Sequence, residues 1–285
     1  MYVSYGTGVV ACYDFEGTRQ WVRCIDLPLV NQYGRSTSPL LVDGMLIVSI
    51  GGLVALDAKT GKTLWQNLQA KPTYGTPVVT RISGVPVVLT PNGHCVRASD
   101  GRILAEKLTA SLYASPVVQD GVAYFVGPPA VAIRLPEKPD EPLRFEKLWQ
   151  ADAPEGEFFA SPLCHDGLLY CVSNGGVLYV LEAKTGKLAA KKELDIRSAG
   201  GKPGAEPANL YASPALVGPH ILLGNDAGES LLLAPGREYK EVARNFLDKG
   251  SGASPVADGR MLLLRGGRKL YALAATRPAT SGAAR

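Results

Sequence analysis

The stretch Ser38-Pro39-Leu40-Leu41-Val42-Asp43-Gly44-Met45-Leu46-Ile47-Val48, running on through Gly51-Gly52 and Leu53-Val54-Ala55-Leu56-Asp57 to Thr60-Gly61-Lys62 and Trp65, decides the fold. It reads as four short strands divided by three turns. Asp43-Gly44 lies between two apolar runs, where a type I′ hairpin turn needs left-handed backbone at both central residues. Gly51-Gly52 and Thr60-Gly61-Lys62 supply the next two turns, and Trp65 sits on the fourth strand.

The same unit recurs along the chain. A small hydroxylated residue followed by proline appears at Ser38-Pro39, Thr76-Pro77, Ser115-Pro116, Ser161-Pro162, Ser213-Pro214 and Ser254-Pro255. Successive prolines are 38, 39, 46, 52 and 41 residues apart. A period near 40 with four short strands per unit is that of a propeller blade; sandwiches do not repeat at this length, and β-helices repeat at much shorter ones. Asp-Gly returns at Asp120-Gly121, Asp166-Gly167 and Asp258-Gly259, and the second turn at Asn92-Gly93, Gly175-Gly176 and Gly266-Gly267. The third strand is echoed by Leu178-Tyr179-Val180-Leu181-Glu182 and Leu270-Tyr271-Ala272-Leu273. These strands are apolar on both faces because each blade is covered by its neighbours. Trp21, Trp65 and Trp149 are expected to cap the gaps between blades.

The fold expected is therefore all-β: a propeller of four-stranded antiparallel blades, with about seven blades visible, as one domain over residues 1–275 and a disordered Ala/Thr/Ser/Gly-rich tail over 276–285. Two segments break the repeat. The run Pro136-Glu137-Lys138-Pro139-Asp140-Glu141-Pro142 replaces a third turn and should project from the ring edge, and Arg197 to Pro207 forms a second long insertion. The first segment, from Tyr2 to about Ile25, matches the second, third and fourth strands of a repeat. The last matches the first three and stops at Leu273. Neither completes the other, so the strand count is that of an incomplete ring, eight-bladed once an upstream stretch is supplied.

Composition sets limits on function. Net charge is +4, and no dense Lys/Arg block tracks a phosphate backbone, so no nucleic-acid partner is expected. No apolar run reaches about 18 residues, so no transmembrane helix is expected, and the first residues show no signal peptide. The five cysteines, Cys12, Cys24, Cys95, Cys164 and Cys171, have no CxxC pair and are expected to be buried free thiols. Cys164 and Cys171 flank Asp166-Gly167 only as diagonal neighbours, a poor disulfide geometry. His94, His165 and His220 lie near strand ends in no metal-ligand spacing.

The run Ala55-Leu56-Asp57-Ala58-Lys59-Thr60-Gly61-Lys62-Thr63-Leu64-Trp65, together with the Ser-Pro anchors, resembles the quinoprotein-like (PQQ-binding-like, BamB-type) propeller repeat over nearly the whole chain, Tyr2 to Leu273. The resemblance implies a bacterial protein acting outside the cytoplasm, in a superfamily of eight-bladed rings that holds quinone-dependent alcohol dehydrogenases and non-catalytic assembly scaffolds. The dehydrogenases carry two adjacent cysteines and a Glu/Asn/Asp calcium site. Here no two cysteines are adjacent, and Asp226 and Glu229 alone do not make the six to eight oxygen ligands calcium takes. No catalytic residue, metal ligand or cofactor is expected.

One pattern exceeds the needs of the fold. An aromatic and a small residue precede the anchor at Tyr74-Gly75, Tyr113-Ala114, Phe159-Ala160 and Tyr211-Ala212, with Tyr33 and Arg35 near the first anchor. These six residues are expected to ring one mouth of the central channel. The reading is a scaffold that grips a protein, peptide or small ligand there and at the insert loops. The alternative is a quinone-dependent redox enzyme or cofactor binder using the same funnel.

Overall fold

The computed structural model describes residues 1–26, 34–71, 74–109, 111–138, 143–196 and 208–274. Tyr33, the Arg197–Pro207 insertion, residues 139–142 and the 276–285 tail lie outside them. No described residue is helical. The strands form seven antiparallel sheets in strict chain order. Blade 1 is β1 (Tyr2–Ser4), β2 (Val9–Tyr13) and β3 (Arg19–Cys24). Blade 2 is β4 (Leu40–Val42), β5 (Met45–Ser49), β6 (Leu53–Asp57) and β7 (Thr63–Asn67). Blade 3 is β8 (Val78–Ile82), β9 (Val85–Leu89), β10 (Cys95–Arg97) and β11 (Ile103–Ala105). Blade 4 is β12 (Val117–Gln119), β13 (Val122–Phe125), β14 (Ala130–Arg134) and β15 (Glu146–Ala151). Blade 5 is β16 (Leu163–His165), β17 (Leu168–Val172), β18 (Val177–Glu182) and β19 (Leu188–Glu193). Blade 6 is β20 (Ala215–Val217), β21 (His220–Gly224), β22 (Glu229–Leu233) and β23 (Glu241–Phe246). Blade 7 is β24 (Val256–Ala257), β25 (Met261–Gly266) and β26 (Lys269–Ala274).

The described residues thus form a β-propeller of seven blades, in which five sheets have four strands and two have three. Every inner strand starts on the residue after the anchor proline. Proline has no N–H to donate, so a place just ahead of a strand costs the ladder nothing. Asp43-Gly44, Asp120-Gly121 and Asp166-Gly167 all have positive φ, the type I′ geometry. Asp258-Gly259 does not follow them: only Gly259 is left-handed. The pairing register is that of the other blades, so Asp258 falls at the position of Val42, one residue before the turn, and accepts the N–H groups of Arg260 and Met261 at 2.9 and 2.7 Å. Blade 3 turns on Ser83-Gly84 with the same positive φ pair, a turn the Asp-Gly search passes over.

Five apolar clusters fill the interfaces between successive blades from 1 to 6. Val10, Cys12 and Trp21 meet Leu46, Val48 and Leu56 between blades 1 and 2, and Leu178 and Val180 meet Ile221 and Leu231 between blades 5 and 6. Tryptophan closes three of these interfaces in one way. The indole N–H of Trp21, Trp65 and Trp149 donates to the carbonyl of Ala58, Ala98 and Ala183 in the next blade, at 3.0, 2.9 and 2.8 Å. Each ring lies flat over a left-handed glycine, Gly61, Gly101 or Gly186, where a Cβ would stand 2.5–2.6 Å from a ring carbon. A β-bulge in each of these third–fourth strand pairings, as between Ala55 and Leu56, re-aims the outer strand beside the tryptophan. Blade 4, whose third turn is replaced by the Pro136 segment, has no such glycine, and blade 3 before it has no tryptophan.

The docking turns are held by carboxylates. Asp57 accepts the Thr60 N–H and hydroxyl at 2.8 and 2.7 Å. Hydrogen bonds from Thr60 hold its carboxyl below the ordinary value, as the Arg97 guanidinium does for Asp100 and Arg237 and Thr185 do for Glu182.

Two outcomes are expected. Gly101→Ala puts a methyl into the Trp65 ring at a left-handed position and should cost about 2–4 kcal/mol; Gly121→Ala, equally left-handed but facing open space, should cost about 1 kcal/mol, both read from urea midpoints. A carboxyl whose folded pKa is depressed stabilises the protein above its unfolded value, and that contribution is lost as pH falls through the folded one. The melting temperature should therefore fall between about pH 5 and pH 3, and Asp57→Asn should shrink the fall.

Candidate functional site: the channel mouth

The anchors do more than start strands. The Ser38 N–H donates to the Thr76 hydroxyl at 3.0 Å, Thr76 N–H to Ser115 at 3.0 Å, Ser115 N–H to Ser161 at 2.9 Å, Ser161 N–H to Ser213 at 3.0 Å and Ser213 N–H to Ser254 at 2.9 Å. Five bonds tie six inner strands into a belt around the channel. The residue before a proline is held extended, which directs its N–H sideways, and the hydroxyl one blade on accepts it. The sequence shows the Ser/Thr-Pro pairs but not this exchange, because it joins residues some 40 positions apart.

The residue two before each belt hydroxyl stands next to the belt, and in four blades it is aromatic. Tyr74 and Tyr113 stack at 5.3 Å between centroids with 15° between planes, Tyr113 meets Phe159 edge-on at 4.8 Å and 90°, and Phe159 and Tyr211 stack at 5.3 Å and 24°. Four aromatics from blades 3 to 6 thus form one continuous ladder. Tyr74, Tyr113 and Phe159 are half-buried and Tyr211 is exposed. The small residues after them are required by close approach: a Cβ on Gly75 would stand 2.5 Å from the Tyr113 carbonyl oxygen. In blades 2 and 7 the aromatic position holds Ser36 and Gly252, so the ladder spans one arc of the mouth only. Ser36 donates its hydroxyl to the Tyr74 carbonyl at 2.9 Å. The Gly252 position lies against the Tyr211 side chain, where a Cβ would stand 3.1 Å from it.

Arg35 stands apart from the ladder. Its side chain is 5% exposed and its guanidinium bonds Asp26 at 2.9 Å and the Gly6 carbonyl at 3.4 Å. It links the loop before blade 2 to the first turn and the end of blade 1.

Beside Tyr113 a cleft of about 800 Å³ opens between blades 3 and 4. Leu112, Val126, Pro129 and Phe158 give it an apolar wall, and exposed Lys107, Lys147, Glu106 and Glu157 border it with both charges. His94 faces this cleft, its backbone N–H bonded to the Thr90 hydroxyl at 2.9 Å. None of these residues except His94 and Tyr113 stood out in the sequence. They come from non-equivalent positions of two repeats, so no periodic signal marks them.

The remaining polar groups have structural partners. Glu229 is buried against Arg244, which also bonds Glu241 at 3.1 Å, and Asp226 accepts the Asn209 backbone and side-chain N–H groups at 2.8 and 3.1 Å. His165 lies 3.3 Å from Asp166 at its turn. Among the described residues no cluster of three His, Cys, Asp or Glu is placed to hold a metal. The cysteines are free thiols, but they are not all buried: Cys12, Cys95 and Cys171 are, Cys164 is half-buried and Cys24 is exposed. Cys24 ends the outer strand β3, where side chains face solvent. Burial pushes the Cys95 thiol up to about 12, leaving it protonated at neutral pH.

The belt makes a direct prediction. Ser161→Ala removes the acceptor of the Ser115 N–H and should cost about 1–2 kcal/mol, whereas Ser161→Thr should be close to neutral because Thr76 serves the belt in blade 3; chemical denaturation distinguishes them.

Comparison with known proteins bears on this geometry. Residues 1–132 match the family model described as outer membrane protein assembly factor BamB. No curated protein sequence matches the chain significantly. Among solved structures, BamB from Moraxella catarrhalis is similar with a TM-score of 0.65 and 16% identity, over 91% of this chain and 74% of that one. The computationally designed Ika8 protein gives 0.59 and 10%, over 95% and 92%. A europium-containing methanol dehydrogenase gives 0.59 and 12%, over 93% and 72%. At these identities the structural likeness speaks to the fold.

Proposed function

We propose that this chain, a propeller of quinoprotein-like, BamB-type repeats, is a non-catalytic scaffold that holds an extended segment of a partner protein at its channel mouth, outside the cytoplasm. The observation that carries the reading is the aromatic ladder of Tyr74, Tyr113, Phe159 and Tyr211, half open to solvent along one arc. Packing between blades does not call for it, since blades 2 and 7 lack the aromatic. Exposed aromatic faces offer large contact area at low cost in side-chain entropy, which suits the apolar side chains of a peptide. The cleft beside Tyr113 is deep enough to take one such side chain, with Lys107, Lys147, Glu106 and Glu157 to engage its polar backbone or flanks. The match to an outer membrane assembly factor family supports both the scaffold role and the extracytoplasmic setting.

Selection of 12-residue peptides from a random displayed library on the folded chain tests this. Selected peptides should be rich in aromatic and aliphatic residues. The triple variant Tyr113→Ala, Phe159→Ala, Tyr211→Ala should weaken them at least tenfold, about 1.4 kcal/mol, while Leu188→Ala on the outer strand β19 should not. Peptides that bind the triple variant as well as the parent would sink the reading. Titration with pyrroloquinoline quinone and Ca²⁺, followed by absorbance, tests the redox alternative, for which a stoichiometric spectral change is the required result.

A further inference from the structure

Blade 3 is shorter than its neighbours on the mouth side. The bulge between third and fourth strands gives the blades a common frame: it follows Ala55 in blade 2, Cys95 in blade 3, Ala132 in blade 4 and Val180 in blade 5. In that frame the Leu89–Cys95 pair, which ends the pairing of β9 with β10, matches Ile47–Ala55 and Tyr170–Val180. Blades 2 and 5 carry two further pairs beyond it, out to Ser49–Leu53 and Val172–Leu178, and blade 4 carries one, Phe125–Val131. The outer strand stops early as well. β11 ends at Ala105, the partner of Cys95, whereas β7 and β19 run on from the equivalent Trp65 and Ala190 to Asn67 and Glu193. Past Ala105 the chain turns aside at Lys107, whose φ is +58°; among the described residues it is the one left-handed non-glycine outside the turns that join first and second strands. The cleft beside Tyr113 lies at this step in the ring, and His94, in the shortened turn, lines it.

The hydrogen bonds around His94 fix which of its ring nitrogens is bare. The Asn92 amide nitrogen donates to the Lys71 carbonyl at 2.8 Å, and a carbonyl can only accept, so the Asn92 oxygen faces the other way. That oxygen takes the Thr90 hydroxyl proton at 2.7 Å. The Thr90 oxygen then has only lone pairs to offer, and one of them accepts the His94 backbone N–H at 2.9 Å. The atoms beside Nδ1 of the imidazole are these same two oxygens, Asn92 Oδ1 at 3.3 Å and Thr90 Oγ1 at 3.4 Å. Both accept, so Nδ1 holds the proton and the neutral ring carries its lone pair on Nε2. No described residue donates to Nε2. A half-buried acceptor of fixed orientation thus stands in a cleft whose wall is otherwise apolar.

We propose that the cleft is a subsite for a tyrosine side chain, with the ring against the wall and the phenol hydroxyl donating to His94 Nε2. The proposal rests on the reading that the mouth holds an extended segment of a partner, and it names the side chain that the cleft selects. Three properties choose tyrosine. Leu112, Val126, Pro129 and Phe158 offer a surface suited to an aromatic ring. The acceptor on His94 asks for a donor, which phenylalanine and the aliphatic residues lack. The step is two residues of strand deep, about 7 Å, close to the reach of tyrosine from Cα to hydroxyl. Serine and threonine stop well short of that depth, and the indole N–H of tryptophan lies nearer its backbone and to one side. Lysine and arginine reach far enough but would lose the hydration of a charge against the apolar wall.

N-acetyl-tyrosinamide and N-acetyl-phenylalaninamide, titrated to tens of millimolar into the full chain carrying isotope-labelled histidine, test the subsite by nuclear magnetic resonance at a mildly alkaline pH where imidazole is neutral. The free chain should show the His94 proton on Nδ1. Tyrosinamide should bind about fivefold more tightly than phenylalaninamide, and it alone should move the Nε2 resonance toward that of a hydrogen-bonded nitrogen. His94→Leu should leave phenylalaninamide binding nearly unchanged and bring the two ligands level. Asn92→Ala, which keeps the imidazole but frees its tautomer, should reduce the preference. Equal affinity for the two amides, no binding of either, a proton on Nε2, or a preference that survives His94→Leu overturns the subsite. Where His94→Leu does not fold, the ligand comparison and the ring resonances of the unsubstituted chain decide. The scaffold reading fails separately. Selected peptides that need the aromatic ladder but tolerate Tyr→Phe at every position remove the tyrosine subsite and leave the scaffold. Tyrosinamide discriminated through His94, on a chain whose selected peptides ignore the ladder, does the reverse.

Discussion

The inner strands of a propeller converge on an axis where no further strand can pair with them. Each therefore begins with a backbone donor that has no place in its own sheet. In this chain that donor is the N–H before the anchor proline, and the hydroxyl of the next blade's anchor takes it. Proline removes the following donor altogether and keeps the preceding residue extended, so that one N–H and one hydroxyl per blade remain and they match. The Ser/Thr-Pro pair is thus a bond between blades written into each blade. It sets the spacing of the inner strands, and with it which small residues can stand at the mouth.

A second constraint acts at the rim of the ring, where blades splay apart and a larger object is needed. Tryptophan fills that space, and its indole N–H finds a carbonyl at the base of the neighbouring turn. The price is a glycine beneath the ring. The pairing works as a unit: blades followed by an Ala-x-x-Gly turn carry the tryptophan, and blade 3, followed by the Pro136 segment, does not. Inner hydroxyls and outer indoles therefore fix the same interface at two radii, and the aliphatic faces between them complete a dry core.

Much of this is written locally and can be read locally. Ser-Pro, Asp-Gly and the second glycine turn each state a backbone conformation, and their order states a blade. Ser83-Gly84 is the informative miss: it adopts the same left-handed pair as Asp43-Gly44, since serine with a following glycine can also reach that turn, but it lacks the side chain that makes the signal stand out. Asp258-Gly259 errs the other way: it sits one residue ahead of the turn positions, where Asp258 caps two N–H groups across the turn instead of forming its left-handed pair. Contacts between blades are a different matter. That Ser115 serves Ser161, that Trp65 lies over Gly101, and that Arg35 is engaged by Asp26 rather than standing open to the channel are relations between segments, which the period implies only once the ring is drawn. The cleft beside Tyr113 is less legible still, since it arises where two blades differ from the repeat.

The distribution of the aromatics ties the two ends of the argument together. A residue at the mouth is free to vary as long as the next one is small and the one after carries a hydroxyl. In blades 3 to 6 it is aromatic, and each ring leans on the next, so the ladder is self-supporting across three interfaces. Its two ends fall at Ser36 and Gly252, on blades 2 and 7, whose anchors make the first and last of the five belt bonds. A stacked ring needs a neighbour on a rigid blade at a fixed separation, and the belt supplies that separation only where its bonds are intact on both sides. Ser38 and Ser254 each have one. The arc that carries aromatic faces is therefore the arc whose belt bonds are intact on both sides, and its rings are held at fixed separations before anything touches them.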